Sequence, residues 1–144
     1  MKPFLTFIFI IFSVTSCSQV IETQNDPLAT SLIIESSNIY SLEDVKNAGW
    51  KEFNKFDNSE YPETVEIAYG FFKRKDIEVW VYKSPEAAKK LGIPYGDEAV
   101  EKRAGQTDYM IPRVNRYHAY VIVGNLLLLC ETETLDCQKL IDNF

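Results

Sequence analysis

The sequence predicts an α+β fold: an antiparallel sheet built from two strand–strand–helix units with helices on one face, preceded by an N-terminal helix. Three observations carry that reading. Two pairs of strand-like stretches each flank a short turn, the first pair with apolar and polar residues alternating; each pair is followed by a helix; and a capped amphipathic segment precedes both.

The first helix opens at Ser41-Leu42-Glu43-Asp44. Ser41 supplies a cap, two acids occupy the first turn, and Leu42 and Val45 fall on one face before Gly49 ends the segment. Trp50, Phe53 and Phe56 recur at spacing three, which fits a helical turn or an irregular aromatic flap. Thr64–Phe72 and Ile77–Lys83 then alternate around Lys73-Arg74-Lys75-Asp76, a hairpin that sets Tyr69 opposite Trp80. Ser84-Pro85-Glu86 starts a second helix, Leu91-Gly92 closes it, and Pro94 forbids its continuation. A short helix over Tyr95–Lys102 and a loop over Arg103–Asn115 lead to the second hairpin. There Tyr117–Val123 and Leu126–Glu131 flank Gly124-Asn125, so that Ala119 faces Cys130 and His118 faces Glu131. A last helix runs from Thr134 to Asn143.

Composition narrows the function. The 144 residues carry 15 basic and 21 acidic side chains, a formal charge of −6, and 46% apolar residues. An acidic chain without a basic stripe cannot displace counterions from a phosphate backbone, so nucleic acid is not an expected partner. One histidine and three cysteines leave little for a metal centre, and neither metal nor cofactor is expected.

The N-terminus reads as an address. Lys2 precedes Phe4–Val14, an 11-residue run without charge. A helix needs about 20 residues to cross the roughly 30 Å hydrocarbon layer, so this run suits the hydrophobic region of a secretory signal instead. It stops at Val14-Thr15-Ser16-Cys17, which resembles the lipobox of bacterial lipoproteins. The resemblance implies a signal peptide at residues 1–16, a diacylglycerol thioether on Cys17, and an extracytoplasmic protein anchored to the cell membrane or outer membrane. Ser18 resembles the outer-membrane sorting pattern. Two or three acyl chains hold a protein where one does not, since each buried methylene is worth about 0.8 kcal/mol. Residues 17–38 then read as a flexible tether of polar residues, within which Leu32-Ile33-Ile34 either forms a short strand or docks on the fold. Residues 39–144 form a single domain.

Once lipid consumes Cys17, Cys130 and Cys137 remain as an even pair in an oxidising compartment. A structural disulfide is expected, with two separate thiols or a redox pair as the alternatives. His118 and Glu131 are read as a cross-strand pair, with a hydrolase site around them as the enzymatic alternative. Lys73-Arg74-Lys75 reads as a solvated hairpin tip, and Asp97, Glu98 and Glu101 as an exposed helix face rather than a calcium loop. Tyr69, Phe71, Trp80 and Tyr82, with Trp50 and Phe53, form the best candidate binding surface. The segment Val123–Ile141 resembles uncharacterised bacterial secreted proteins, a likeness that implies no activity.

The sequence thus predicts a lipid-anchored, non-enzymatic envelope protein that binds a partner protein, a second copy or a small ligand through an aromatic sheet face. An envelope hydrolase and a spacer without any site are the competing readings.

Overall fold

A computed structural model of the chain describes residues 29–101 and 116–144. The expected signal peptide, Cys17, most of the tether, and the loop over 103–115 lie outside the described residues. Six strands form one mixed sheet, β1 (Ser31–Ile34), β2 (Lys51–Phe56), β3 (Thr64–Phe72), β4 (Lys75–Tyr82), β5 (Ala119–Val123) and β6 (Leu126–Cys130), in the order β1-β5-β6-β4-β3-β2. All pairs are antiparallel except β1, which runs parallel to β5. The expectation of a purely antiparallel sheet is therefore corrected. Leu32–Ile34, within the stretch read as tether, is an edge strand.

The helices are α1 (Leu42–Asn47), α2 (Pro85–Ala87), α3 (Ile93–Glu101) and α4 (Thr134–Ile141). Helices were expected on one face, but they cover both. On the first face, Leu42 and Val45 of α1 and Cys137 and Leu140 of α4 pack on Ala68, Val79, Val121 and Leu128. On the second, Ala88, Leu91 and Ile93 of the α2–α3 run pack on Trp80, Tyr82, Ile122 and Leu127. The cause lies in the second hairpin, where every residue from Ala119 to Cys130 is buried. A strand pair that is apolar on both sides needs cover on both. Burial of each Leu, Ile or Val contributes about 1.5–3 kcal/mol, so leaving either face bare is costly.

Three local readings also change. The segment after Trp50 is a strand with a bulge between Glu52 and Asn54, not a helical turn. The first hairpin turns on two residues, Lys73 and Arg74, both at positive φ, rather than on four. Its register consequently moves by two: Ile67 faces Trp80 and Tyr69 faces Glu78. A two-residue slip keeps each side chain on its face, where a one-residue slip would invert it. Finally, the helix does not stop at Gly92. A π-helical stretch over Ala88–Gly92 joins α2 to α3 without a break. The wider turn accommodates the proton-less nitrogen of Pro94 in a helix that an α-helical ladder would reject. Gly96 lets this helix lie close to the sheet, since a Cβ there would come 2.7 Å from the Tyr120 ring.

The second hairpin has the expected register, with Val123 facing Leu126 and Ala119 facing Cys130. Cys130 and Cys137 are joined by a disulfide with Cα atoms 5.8 Å apart, both fully buried. Gly124 takes φ +53° in the turn, and a Cβ would strike the Asn38 carbonyl oxygen. Beside it Asn125, 1% exposed, ties three segments together. Its Oδ1 accepts from the Tyr40 amide at 2.6 Å, and its Nδ2 donates to the carbonyls of Tyr40 and Tyr82 at 2.9 and 2.8 Å.

Replacing Asn125 with alanine strands these buried backbone groups. Urea denaturation of N125A is expected to show a stability loss of roughly 2–4 kcal/mol, at the upper end for a lost hydrogen-bonded side chain because more than one partner is orphaned. A loss under about 0.5 kcal/mol, the size of an ordinary surface substitution, would contradict that role.

Candidate functional site

The second face of the sheet is only half covered. Among the described residues, the α2–α3 run lies over β4, β5 and β6, and no helix covers the β2–β3 end. This divides the aromatic set expected to act together. Trp80 and Tyr82, 7% and 1% exposed, belong to the core under the helix. Phe71 is 36% exposed and Tyr69 half-buried; with Phe53, 72% exposed, they form an edge-to-face cluster with ring centroids 5.2–5.9 Å apart. Trp50 is on the opposite face, buried, with its indole N–H donating to the Ile77 carbonyl at 3.1 Å.

Where the covered and open halves meet stands Glu78. Strand alternation puts it on the face of Trp80 and Tyr82, directly across from Tyr69. One carboxylate oxygen accepts from Trp80 Nε1 at 2.7 Å and the other from the Tyr117 hydroxyl at 3.0 Å. Burial pushes its carboxyl above the usual 4.5, although both donors and the nearby Arg116 charge act in the other direction. Burial likewise raises Tyr117, reinforced by the Glu78 charge, so the phenol keeps its proton and remains a donor. Arg116 lies over the Tyr69 ring at 4.7 Å, and its Nε is 4.0 Å from Asp76.

Two clefts flank this carboxylate. One, about 380 Å³, is walled by Phe56, Asp57, Tyr61, Ile67 and Trp80 as well as Glu78. The other, about 340 Å³, adds Tyr95, Glu98, Arg116 and Tyr117. Tyr61 separates them, edge-on to Trp80 at 4.8 Å and to Tyr95 at 5.4 Å. A third cleft, of about 400 Å³, lies between residues 35–37 and the start of α2; its wall carries the Lys89–Glu35 ion pair and no aromatic ring. The first two have the composition of a ligand site, with apolar rings setting shape and a few polar atoms setting orientation.

The other sequence candidates are placed elsewhere. His118 is exposed, and its Nδ1 lies 2.7 Å from the backbone carbonyl of Glu131, not from its carboxylate. That carboxylate accepts from the Asp76 amide at 2.8 Å and sits 3.6 Å from Lys75 Nζ. The two side chains are not aligned as a base and its orienting acid. Lys73 and Arg74 form the exposed hairpin tip, with Lys73 Nζ 4.9 Å from the Phe72 ring centre. Asp97 accepts from the Tyr120 hydroxyl at 2.7 Å. Among the described residues, no group of three or more His, Cys, Asp or Glu could hold a metal ion.

Sequence reasoning missed Glu78, Tyr61, Tyr95, Arg116 and Tyr117. The signal for Glu78 was present: it is a charge at alternate spacing with Trp80 and Tyr82, on a strand face otherwise aromatic. Nothing local marks the others, which arrive from a loop, a helix and a different hairpin.

Residues 41–111 match a family of unknown function, DUF6810. The matched span covers β2, β3 and β4 with Glu78, Tyr61 and Tyr95, and ends before Tyr117 and the second hairpin. No curated protein and no solved structure matches the chain.

The raised carboxyl of Glu78 makes stability depend on pH in a definite direction. The folded chain keeps this proton at pH values where the unfolded chain has released it. Stability from this group is therefore complete below the usual 4.5 and falls as pH climbs from there through the raised value. Melting curves of wild type and Glu78→Gln across mildly acid pH are expected to differ by this slope, with E78Q gaining relative stability as pH rises. A difference that does not change with pH would refute it.

Proposed function

We propose that this protein is a lipid-anchored binding module of the bacterial cell envelope. Its ligand is a small molecule, or the side chain of a partner protein, that gives a hydrogen-bond donor to Glu78 and an apolar face to Tyr61, Trp80 and Tyr95. The observation that carries the binding reading is the half-buried Glu78 between two aromatic clefts at the margin of the helix-covered part of the sheet. Each carboxylate oxygen spends one lone pair on a neutral protein donor, which fixes its direction, and keeps another for a ligand. With no nucleophile–base pair beside it among the described residues, the arrangement favours holding a molecule over transforming it.

The location rests on separate support. The Cys130–Cys137 disulfide fits an oxidising compartment outside the cytoplasm. The run Phe4–Val14 ending at Cys17 supplies the export signal and the acceptor sulfur. No helix among the described residues is long and apolar enough to cross a membrane, and in this reading the lipid on Cys17 is the anchor.

Two experiments test it. Replacing Cys17 with serine is expected to move the protein from the membrane pellet to the soluble fraction; unchanged sedimentation with membranes would remove the lipid anchor. Screening the full chain by thermal shift against small amines and ring compounds is expected to yield ligands that stabilise wild type but not Tyr61→Ala or Glu78→Gln. A compound at about 100 times its Kd adds about 2.7 kcal/mol, well within reach of the assay. Hits that stabilise all three proteins equally would place binding elsewhere.

A further inference from the structure

Strand β2 is one edge of the sheet, and all six of its residues, Lys51-Glu52-Phe53-Asn54-Lys55-Phe56, are exposed. Lysines and a bulge ordinarily blunt such an edge against foreign strands. Here the same features have a second property: the hexapeptide is complementary to itself.

The pairing with β3 assigns each side chain to a face. Glu52 opposite Gly70 and Lys55 opposite Ala68 lie on the face covered by α1 and α4. Lys51 opposite Phe71, Asn54 opposite Tyr69 and Phe56 opposite Ile67 lie on the aromatic face. Phe53 joins them there, because its ring meets those of Tyr69 and Phe71. The bulge thus places two consecutive residues, Phe53 and Asn54, on one side.

We infer that two copies of this chain associate through β2, antiparallel about a two-fold axis between Phe53 and Asn54, so that Glu52 of each copy faces Lys55 of the other. In this register Lys51 faces Phe56 and Phe53 faces Asn54, and every opposed pair shares a face. A shift of one residue in either direction sets Glu52 against Asn54 or Phe56, from opposite faces; a shift of two sets Glu52 against Phe53, or Asn54 against Lys55. Only the symmetric register keeps the pleat continuous over all six residues. A two-fold interface of this kind uses the same patch on both subunits.

Charge supports the same register. Within one chain Glu52 is 2.8 Å from Lys46 Nζ, and Lys55 is 2.6 Å from Glu66. Pairing two copies joins these into an alternating row on the helix-covered face: Lys46 and Glu52 of one chain, then Lys55 and Glu66 of the other, repeated across the axis. Directly opposed unlike charges are among the favourable cross-strand pairs. On the other face, the two Phe53–Tyr69–Phe71 clusters come side by side. This association does not depend on the ligand proposed for Glu78.

The test uses the full chain in detergent, with mass measured by light scattering after subtraction of the micelle, and two charge reversals, Glu52→Lys and Lys55→Glu. Both residues are at the surface, where breaking an ion pair costs little, so both variants fold. Wild type is expected to be a dimer. Each variant alone opposes like charges and is expected to dimerise more than about tenfold more weakly. An equimolar mixture is expected to recover the dimer: positions 52 and 55 are then both basic in one chain and both acidic in the other, so unlike charges meet at each opposed pair. A monomeric wild type, variants that dimerise like wild type, or a mixture that stays monomeric would each overturn the inference.

Discussion

The structure is organised by one constraint: the β5–β6 hairpin has no polar side. From Ala119 to Cys130 the chain is buried without interruption, including the turn. Water must be kept from both surfaces of this strand pair, and the rest of the fold arranges itself accordingly. α1 and α4 close one side, and the continuous α2–α3 run closes the other. The turn itself is sealed by Asn125, which accepts from the Tyr40 amide and donates to the carbonyls of Tyr40 and Tyr82. The disulfide fixes α4 to the end of β6, holding the first layer in register with the strand it covers.

The covering is uneven, and the unevenness creates the site. The α2–α3 layer is wide enough for the central strands but not for β2 and β3, so the aromatic face runs from core to solvent within one sheet. Glu78 sits at that boundary. Deeper, its charge would cost several kcal/mol; farther out, water would compete for every ligand contact. The two half-exposed clefts beside it follow from where the helix layer ends, and their rings come from five separate segments of chain.

Much of the fold was legible in local chemistry. Ser41 and Ser84 accept from amides three residues on, as their positions ahead of acidic first turns imply. Gly124-Asn125 sets a hairpin register that holds to the last pair. The cysteine spacing matched the bridge. What escaped was non-local or disguised. The bulge at Phe53 places Phe53 and Phe56 on one face three residues apart, so a strand imitated a helix. Pro94 is a stop signal for an α-helix, but not for a helix that widens beforehand. The two-sided cover was readable in the unbroken apolar runs Tyr120–Val123 and Leu126–Leu129, which alternation-based reading treats as half-buried. The site was the least legible part, because only Glu78 declares itself within its own strand. The two strand–strand–helix units share an order of elements yet send their helices to opposite faces, so they are not copies of one superposable unit.

The sheet's two margins differ in a way that matters mechanically. Among the described residues the chain enters the sheet through β1, a four-residue strand that pairs with β5 and runs parallel to it, while every other ladder is antiparallel. Tension applied from the N-terminal side is therefore borne first by the shortest ladder among the described residues. Detaching that ladder would bare the outer margin of β5 and leave five strands and their bridge intact.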